Sequence, residues 1–245
     1  MSPPYPLTQQ HANDPPPLFP RTPTDSPYLI LGFAPPPDPY SPLFDPSIPP
    51  AERTRVFATW VSGYFAHRTS ALSGAPAEEQ KRHSAEVFEK REYLTDPPPT
   101  LSTLSPSEVA GALYPGPGAP EGSDSLLLAG GLQSGLFLTL REGALALPEG
   151  EEWRAVELRH VWCDRSVWET TWTSWNFKWR LDEAREKGEA VREMTSVKLE
   201  GANHFVRAPG LPPLYFMMLK RYEQVHWDEP ERTLVAFLTD AVERY

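Results

Sequence analysis

Two residues in the last third of this 245-residue chain have the types and spacing for proton transfer: Asp164 and His204. Each follows an apolar stretch that reads as a β-strand, Asp164 after Trp153–Trp162 (WRAVELRHVW) and His204 after Met194–Leu199 (MTSVKL). Functional groups in open α/β sheets collect beyond the carboxyl ends of strands. A neutral imidazole there can take a proton from a hydroxyl group. A buried carboxylate beside it can fix its tautomer and stabilise the imidazolium. Acid then histidine, in that chain order, is the last two thirds of a Ser…Asp…His relay. His204 is therefore expected to act as general base and acid, with Asp164 as its orienting carboxylate.

Other reactive side chains carry less. Cys163 ends the first strand and reads as a small buried hydrophobe rather than a nucleophile. His226 stands near Asp228 and Glu229, but no second His or Cys lies at ligand spacing, so no metal is expected. No organic cofactor is implied either. Trp168, Trp172, Trp175 and Trp179 recur at helical spacing and could line an apolar pocket, although packing is the simpler use of such a face.

The elements that must position these groups follow from periodicity and punctuation. Seventeen of the 30 prolines fall in residues 1–50, and proline removes a backbone donor while favouring extended neighbours. Residues 1–27 accordingly read as a disordered Pro-rich tail. Ala51–Arg68 places Val56, Phe57, Trp60, Val61, Tyr64 and Phe65 on one helical face. Residues 77–94 read as a charged, solvated helix. Ser105-Pro106-Ser107-Glu108 is a helix start with a capping box. Ser123–Leu147 reads as helical, interrupted at Gly130-Gly131. Val167–Lys187 reads as a long helix between the two strands, and Pro230–Tyr245 as a closing one. Strand, helix, strand, helix predicts two parallel strands and a helix-dominated α/β fold.

A net charge of −10 and the lack of any Lys/Arg-rich block argue against a nucleic-acid partner. The single cysteine excludes an intrachain disulfide framework. The start MSPPYPLTQQ has neither a basic nor an apolar leader segment, and no run of 18 apolar residues occurs. A cytoplasmic protein without membrane attachment is the expectation. Nothing in the sequence fixes an oligomeric state.

The C-terminal motifs resemble the α/β-hydrolase fold family. Gly201-Ala202-Asn203-His204-Phe205-Val206 resembles that family's G-x-x-H strand end, and His226-Trp227-Asp228-Glu229-Pro230-Glu231 resembles the helix start that follows it. Val161-Trp162-Cys163-Asp164-Arg165 resembles the family's strand ending in G-x-x-D, although Cys163 in the glycine place moves the strict acid slot to Ser166. The resemblance implies a helical cap over residues 28–148 and the last strands and helices of the fold over 149–245. It also implies ancestral serine-type hydrolysis of an ester or related acyl bond in a small-molecule substrate.

Departures from the pattern limit what this chain is expected to do. No G-x-S-x-G elbow occurs, and Gly131-Leu132-Gln133-Ser134-Gly135 reads as a joint between helices. The stretch 206–224 separates His204-Phe205 from Val225-His226-Trp227 and reads as an insert, possible to encode as a retained intron. Lacking a nucleophile, the chain is expected to be without triad activity, the alternative being a non-catalytic binding or interaction protein. Two strands alone are expected to leave the tryptophan-rich core poorly covered.

Overall fold

The tryptophan face predicted for residues 167–187 organises the molecule. A computed structural model of the chain describes residues 25–112, 116, 118, 121–147 and 158–205. Its helices are α1 (Pro50–Val61), α2 (Ala77–Val87), α3 (Pro106–Ala112), α4 (Ser123–Ser134), α5 (Leu136–Leu145) and α6 (Trp168–Lys187). Its strands are β1 (Leu158–Cys163) and β2 (Met194–Leu199), preceded in the chain by a 3₁₀ turn at Tyr28–Leu31. The fold is thus helix-dominated and mixed α/β. Residues 1–24 of the expected tail, the 206–224 stretch and the expected helix 230–245 lie outside the described residues.

β1 and β2 pair in parallel, from Leu158 opposite Met194 to Cys163 opposite Leu199. This is the order expected of a strand–helix–strand unit, with α6 as the crossover. β1 is mostly buried, whereas β2 exposes several of its side chains.

α6 packs on two sides. Trp168, Trp172 and Trp179 join Trp60, Phe65, Val87 and Phe88 in one buried cluster. Phe177 and Leu181 join Leu145 and Leu158 in another. A buried indole needs a partner for its N–H. Trp168 Nε1 donates to Tyr40 O (2.9 Å), Trp172 Nε1 to Ala34 O (2.8 Å) and Trp179 Nε1 to Gln80 Oε1 (2.8 Å). The core expected to be left wet is therefore covered. Residues 28–40 and helices α1 and α2 wrap the tryptophan face that a larger sheet was expected to cover. That face is packing, with Trp175 only partly buried at its margin.

Three predicted helices end differently from expectation, each for a tertiary reason. α1 stops at Val61 instead of Arg68, because the chain beyond it bonds elsewhere. Phe65 N–H donates to Arg165 O (2.9 Å), Arg68 N–H to Val87 O (2.8 Å), and Tyr64 O accepts Leu94 N–H (2.7 Å). A side chain at Gly63 would place its Cβ 2.6 Å from Tyr93 Cβ, so only glycine lets these segments close. α2 stops at Val87 instead of continuing to residue 94, since Phe88 turns extended and its ring packs beside Trp175 at 4.9 Å. The α4–α5 break falls at Gly135, whose φ of 69° is in the left-handed region, and not at Gly130-Gly131. The capping box forms as expected, with Ser105 N–H donating to Glu108 Oε2 (2.8 Å) and Glu108 N–H to Ser105 Oγ (3.3 Å).

Leu126, Leu127, Leu132, Leu136, Leu138 and Leu140 leave the α4–α5 hairpin with exposed apolar side chains. No helix among the described residues is long and apolar enough to cross a membrane.

His160 is the most costly polar group in the core. It is fully buried on β1 against Phe177, ring centroids 5.0 Å apart, and neither ring nitrogen has a hydrogen-bond partner. Burial pushes its pKa down to about 4, against the opposing pull of Asp25. The folded state thus resists a proton that the unfolded chain accepts near pH 6.5. The associated stability is present above that pH and lost as pH falls toward 4. Acidification from pH 7 to 4 should cost the wild type up to about 3 kcal/mol more than it costs a His160→Leu variant, because that variant has no imidazole to protonate. Urea unfolding at the two pH values checks this, and equal losses would refute it.

Candidate functional site

The loops that follow the two strands are fastened to each other, and this places His204. Asp164 N–H donates to Leu199 O (3.3 Å) and Arg165 N–H to Ala202 O (3.0 Å). Gly201 N–H, at a turn with φ of 71°, donates to Asp164 Oδ1 (2.7 Å). Asn203 is fully buried, and its Nδ2 donates to Ser62 O and to Thr100 Oγ1, both at 2.7 Å. His67 holds the other loop. Its Nε2 donates to Ser166 O (2.8 Å) while its Nδ1 accepts Glu89 N–H (3.1 Å), which sets the tautomer. Burial keeps His67 neutral, with a pKa pushed down to about 4.

The carboxylate that meets His204 is Asp25. His204 Nδ1 donates to Asp25 Oδ2 over 2.8 Å. The same oxygen accepts Ser166 Oγ–H (2.6 Å), and Oδ1 accepts the backbone N–H of Cys163 (2.9 Å). Asp25 is only 2 % exposed, while the His204 side chain keeps 31 % of its surface open. Nε2 of His204 has no hydrogen-bond partner among the described residues. Bonding to Asp25 and the charges of Asp25 and Glu169 outweigh the cost of burial and hold the imidazolium form above its usual pKa.

Asp25 reaches this position by taking the free edge of β1. Leu158 and Asp164 donate their N–H groups toward the β2 side, to Glu193 O and Leu199 O. Residues 161 and 163 therefore turn their backbone groups to the opposite edge. Asp25 N–H donates to Val161 O there (2.7 Å), and its side chain takes Cys163 N–H. One residue, with φ of 42°, satisfies positions that a neighbouring strand would otherwise fill.

Sequence reasoning paired His204 with Asp164; in the structure the carboxylate bonded to His204 is Asp25. Asp164 instead holds the Gly201 turn, because a carboxylate two residues early in the pattern points back along the β2 loop. Ser166, the strict acid slot of that pattern, does reach the cluster, but as a hydroxyl that donates to Asp25. Asp25 itself was counted with the Pro-rich tail, and no periodicity links it to a histidine 179 positions away. The only local hint was the apolar run beginning just after it at Tyr28. Cys163 is fully buried, with burial pushing its thiol pKa well up, so it offers no thiolate. Ser134 ends α4 with its hydroxyl donating to Gly130 O (2.6 Å), within a helix–helix joint. His226, Asp228 and Glu229 lie outside the described residues. Among the described residues no group of three or more His, Cys, Asp or Glu is arranged to hold a metal ion.

No protein-family model, curated protein or solved structure matches this chain.

The geometry distinguishes the two aspartates in solution. Replacing Asp25 with Asn removes the charge that favours the His204 imidazolium, so the His204 pKa should fall. Asp164→Asn should leave that titration in place. Histidine Cε1–H chemical shifts followed against pH measure both. A shift in the Asp164 variant with none in the Asp25 variant would reverse the assignment.

Proposed function

We propose that this chain carries a site for hydrolysis of acyl bonds such as esters, with His204 as general base and Asp25 as its orienting carboxylate. The observation that carries the reading is the 2.8 Å bond from His204 Nδ1 to a buried Asp25, with no hydrogen-bond partner on Nε2 among the described residues. A histidine used only for packing has no need of a carboxylate that three donors hold in place. The G-x-x-H resemblance to α/β-hydrolases supports the same reading, with the acid supplied from the N-terminal segment. No cofactor takes part in the step.

The described residues bring no serine to Nε2. Ser166 is committed to Asp25, and Cys163 is sealed. The step is accordingly one of water activation: Nε2 accepts a proton as the water oxygen bonds to the acyl carbon. A positioned general base without a protein nucleophile contributes roughly 10²–10⁴-fold, well below the acceleration of a full triad. The base works as neutral imidazole, so kcat/KM should rise with pH and level off above the raised His204 pKa.

Hydrolysis of 4-nitrophenyl butyrate by the full chain tests this. His204→Ala should abolish the protein-dependent rate, and Asp25→Asn should move the pH profile to lower pH while lowering the plateau. A rate untouched by His204→Ala would sink the proposal. The exposed leucines of α4 and α5 favour a second reading, a non-catalytic interaction protein. Absence of any hydrolysis above background would leave that reading standing.

A further inference from the structure

The loop after β1 closes around Asp25 from one side. Ser166 N–H donates to Cys163 O (3.3 Å), which makes a turn of residues 163–166. That turn delivers two donors to one carboxylate: Cys163 N–H to Oδ1 at 2.9 Å and Ser166 Oγ–H to Oδ2 at 2.6 Å. His67 Nε2 fixes the turn in place by donating to Ser166 O over 2.8 Å. Ser166 is fully buried, so its hydroxyl group is out of contact with bulk water.

Oδ2 of Asp25 therefore carries two donors, the Ser166 hydroxyl at 2.6 Å and His204 Nδ1–H at 2.8 Å. A carboxylate oxygen has two lone pairs to offer, and both are taken. A hydrogen bond to the charged form of a carboxylate stabilises that form and leaves it a weaker base. The hydroxyl thus draws negative charge from the same oxygen that the imidazole faces.

We propose that Ser166 is a positioning residue of this site, whose buried hydroxyl shares Asp25 Oδ2 with His204 Nδ1 and so tempers how strongly the imidazole holds a proton. The proposal rests on the hydrolytic reading above and adds to it what sets the pH range of the site. During water activation the proton goes to His204 Nε2, Nδ1 keeps its own, and Ser166 keeps its hydroxyl proton throughout. No bond to Ser166 forms or breaks.

Other ionisable groups bear on the pair from the elements around it. Burial pushes His160 on β1 and His67 beyond α1 down to about 4, so both are neutral at pH 7, and it holds the Cys163 thiol protonated. Asp164 spends Oδ1 on Gly201 N–H. Glu169 of α6 favours the His204 imidazolium electrostatically, as Asp25 does. The Ser166 hydroxyl works against these two carboxylates, by competing for one of them.

The direction of a titration separates this role from a structural one. With Ser166→Ala, Asp25 Oδ2 is left to His204 alone, and the His204 Cε1–H titration should move to higher pH, opposite to the shift expected of Asp25→Asn. Ser166→Cys, similar in size with a weaker donor, should move it the same way by less. For 4-nitrophenyl butyrate, kcat/KM of Ser166→Ala at pH 6 should fall about threefold, while the high-pH plateau is retained. A hydroxyl that only props Asp25 in place would give the reverse: a looser Asp25–His204 bond, a titration moved to lower pH and a lower plateau. That result, or a titration unchanged in both variants, would overturn the proposal. A wild-type rate that His204→Ala does not change would instead overturn the hydrolytic reading on which it rests.

Discussion

A carboxylate with 2 % of its surface exposed must be met by donors, or it loses its charge. Asp25 meets that demand with three donors from three places: a strand backbone, the hydroxyl after it and the imidazole after the second strand. Charge-assisted bonds of this kind are roughly twice as strong as neutral ones. Leaving any of them unmade inside the protein would cost the full desolvation of its group. The N-terminal segment is therefore tied to β1 and to His204 by one requirement. That requirement also orders the imidazole, because a ring that donates Nδ1 to Asp25 directs Nε2 away from it.

The same residue solves a problem of sheet structure. A parallel pair of strands leaves unpaired backbone groups at both outer edges. At β1 two of those groups are Val161 O and Cys163 N–H, and Asp25 takes both, one with its backbone and one with its side chain. Two strands are a marginal sheet by themselves, but β1 has a covered edge and a helix packed along it. The buried tryptophans of α6 then have residues 28–40, α1 and α2 against them, each buried indole N–H finding an acceptor on that wrapping chain. Stability rests less on the sheet than on this belt around α6.

The polar interior around the site is ordered in unequal ways. His67 and Asn203 spend their polar atoms on backbone and side-chain partners that fasten the two strand-end loops, so they act as fixed struts. His160 is buried with both ring nitrogens unpaired, and burial drives its pKa down to about 4, whereas burial drives that of Glu169 up to about 7. In each case the neutral form is the one favoured. A neutral imidazole in the core is tolerated as packing against Phe177.

Much of the local structure was legible in the chain itself. The extent of β2, the capping box at Ser105, the start of α1 after Pro49 and the tryptophan spacing of α6 all follow from interactions within a few residues. His204 was legible for a similar reason, as a reactive side chain just past a readable strand. Tertiary structure decided everything that depended on partners distant in sequence. α1 ended at Val61 because Phe65 and Arg68 bond to Arg165 and Val87, and no propensity encodes those bonds. The acid on His204 proved to be Asp25 and not Asp164, because sheet-edge geometry chose which carboxylate could reach Nδ1 while bonding Cys163 N–H. Local sequence determines which helices and strands can form and where a reactive group can stand. Only burial and hydrogen bonding across the folded chain decide which charge that group faces.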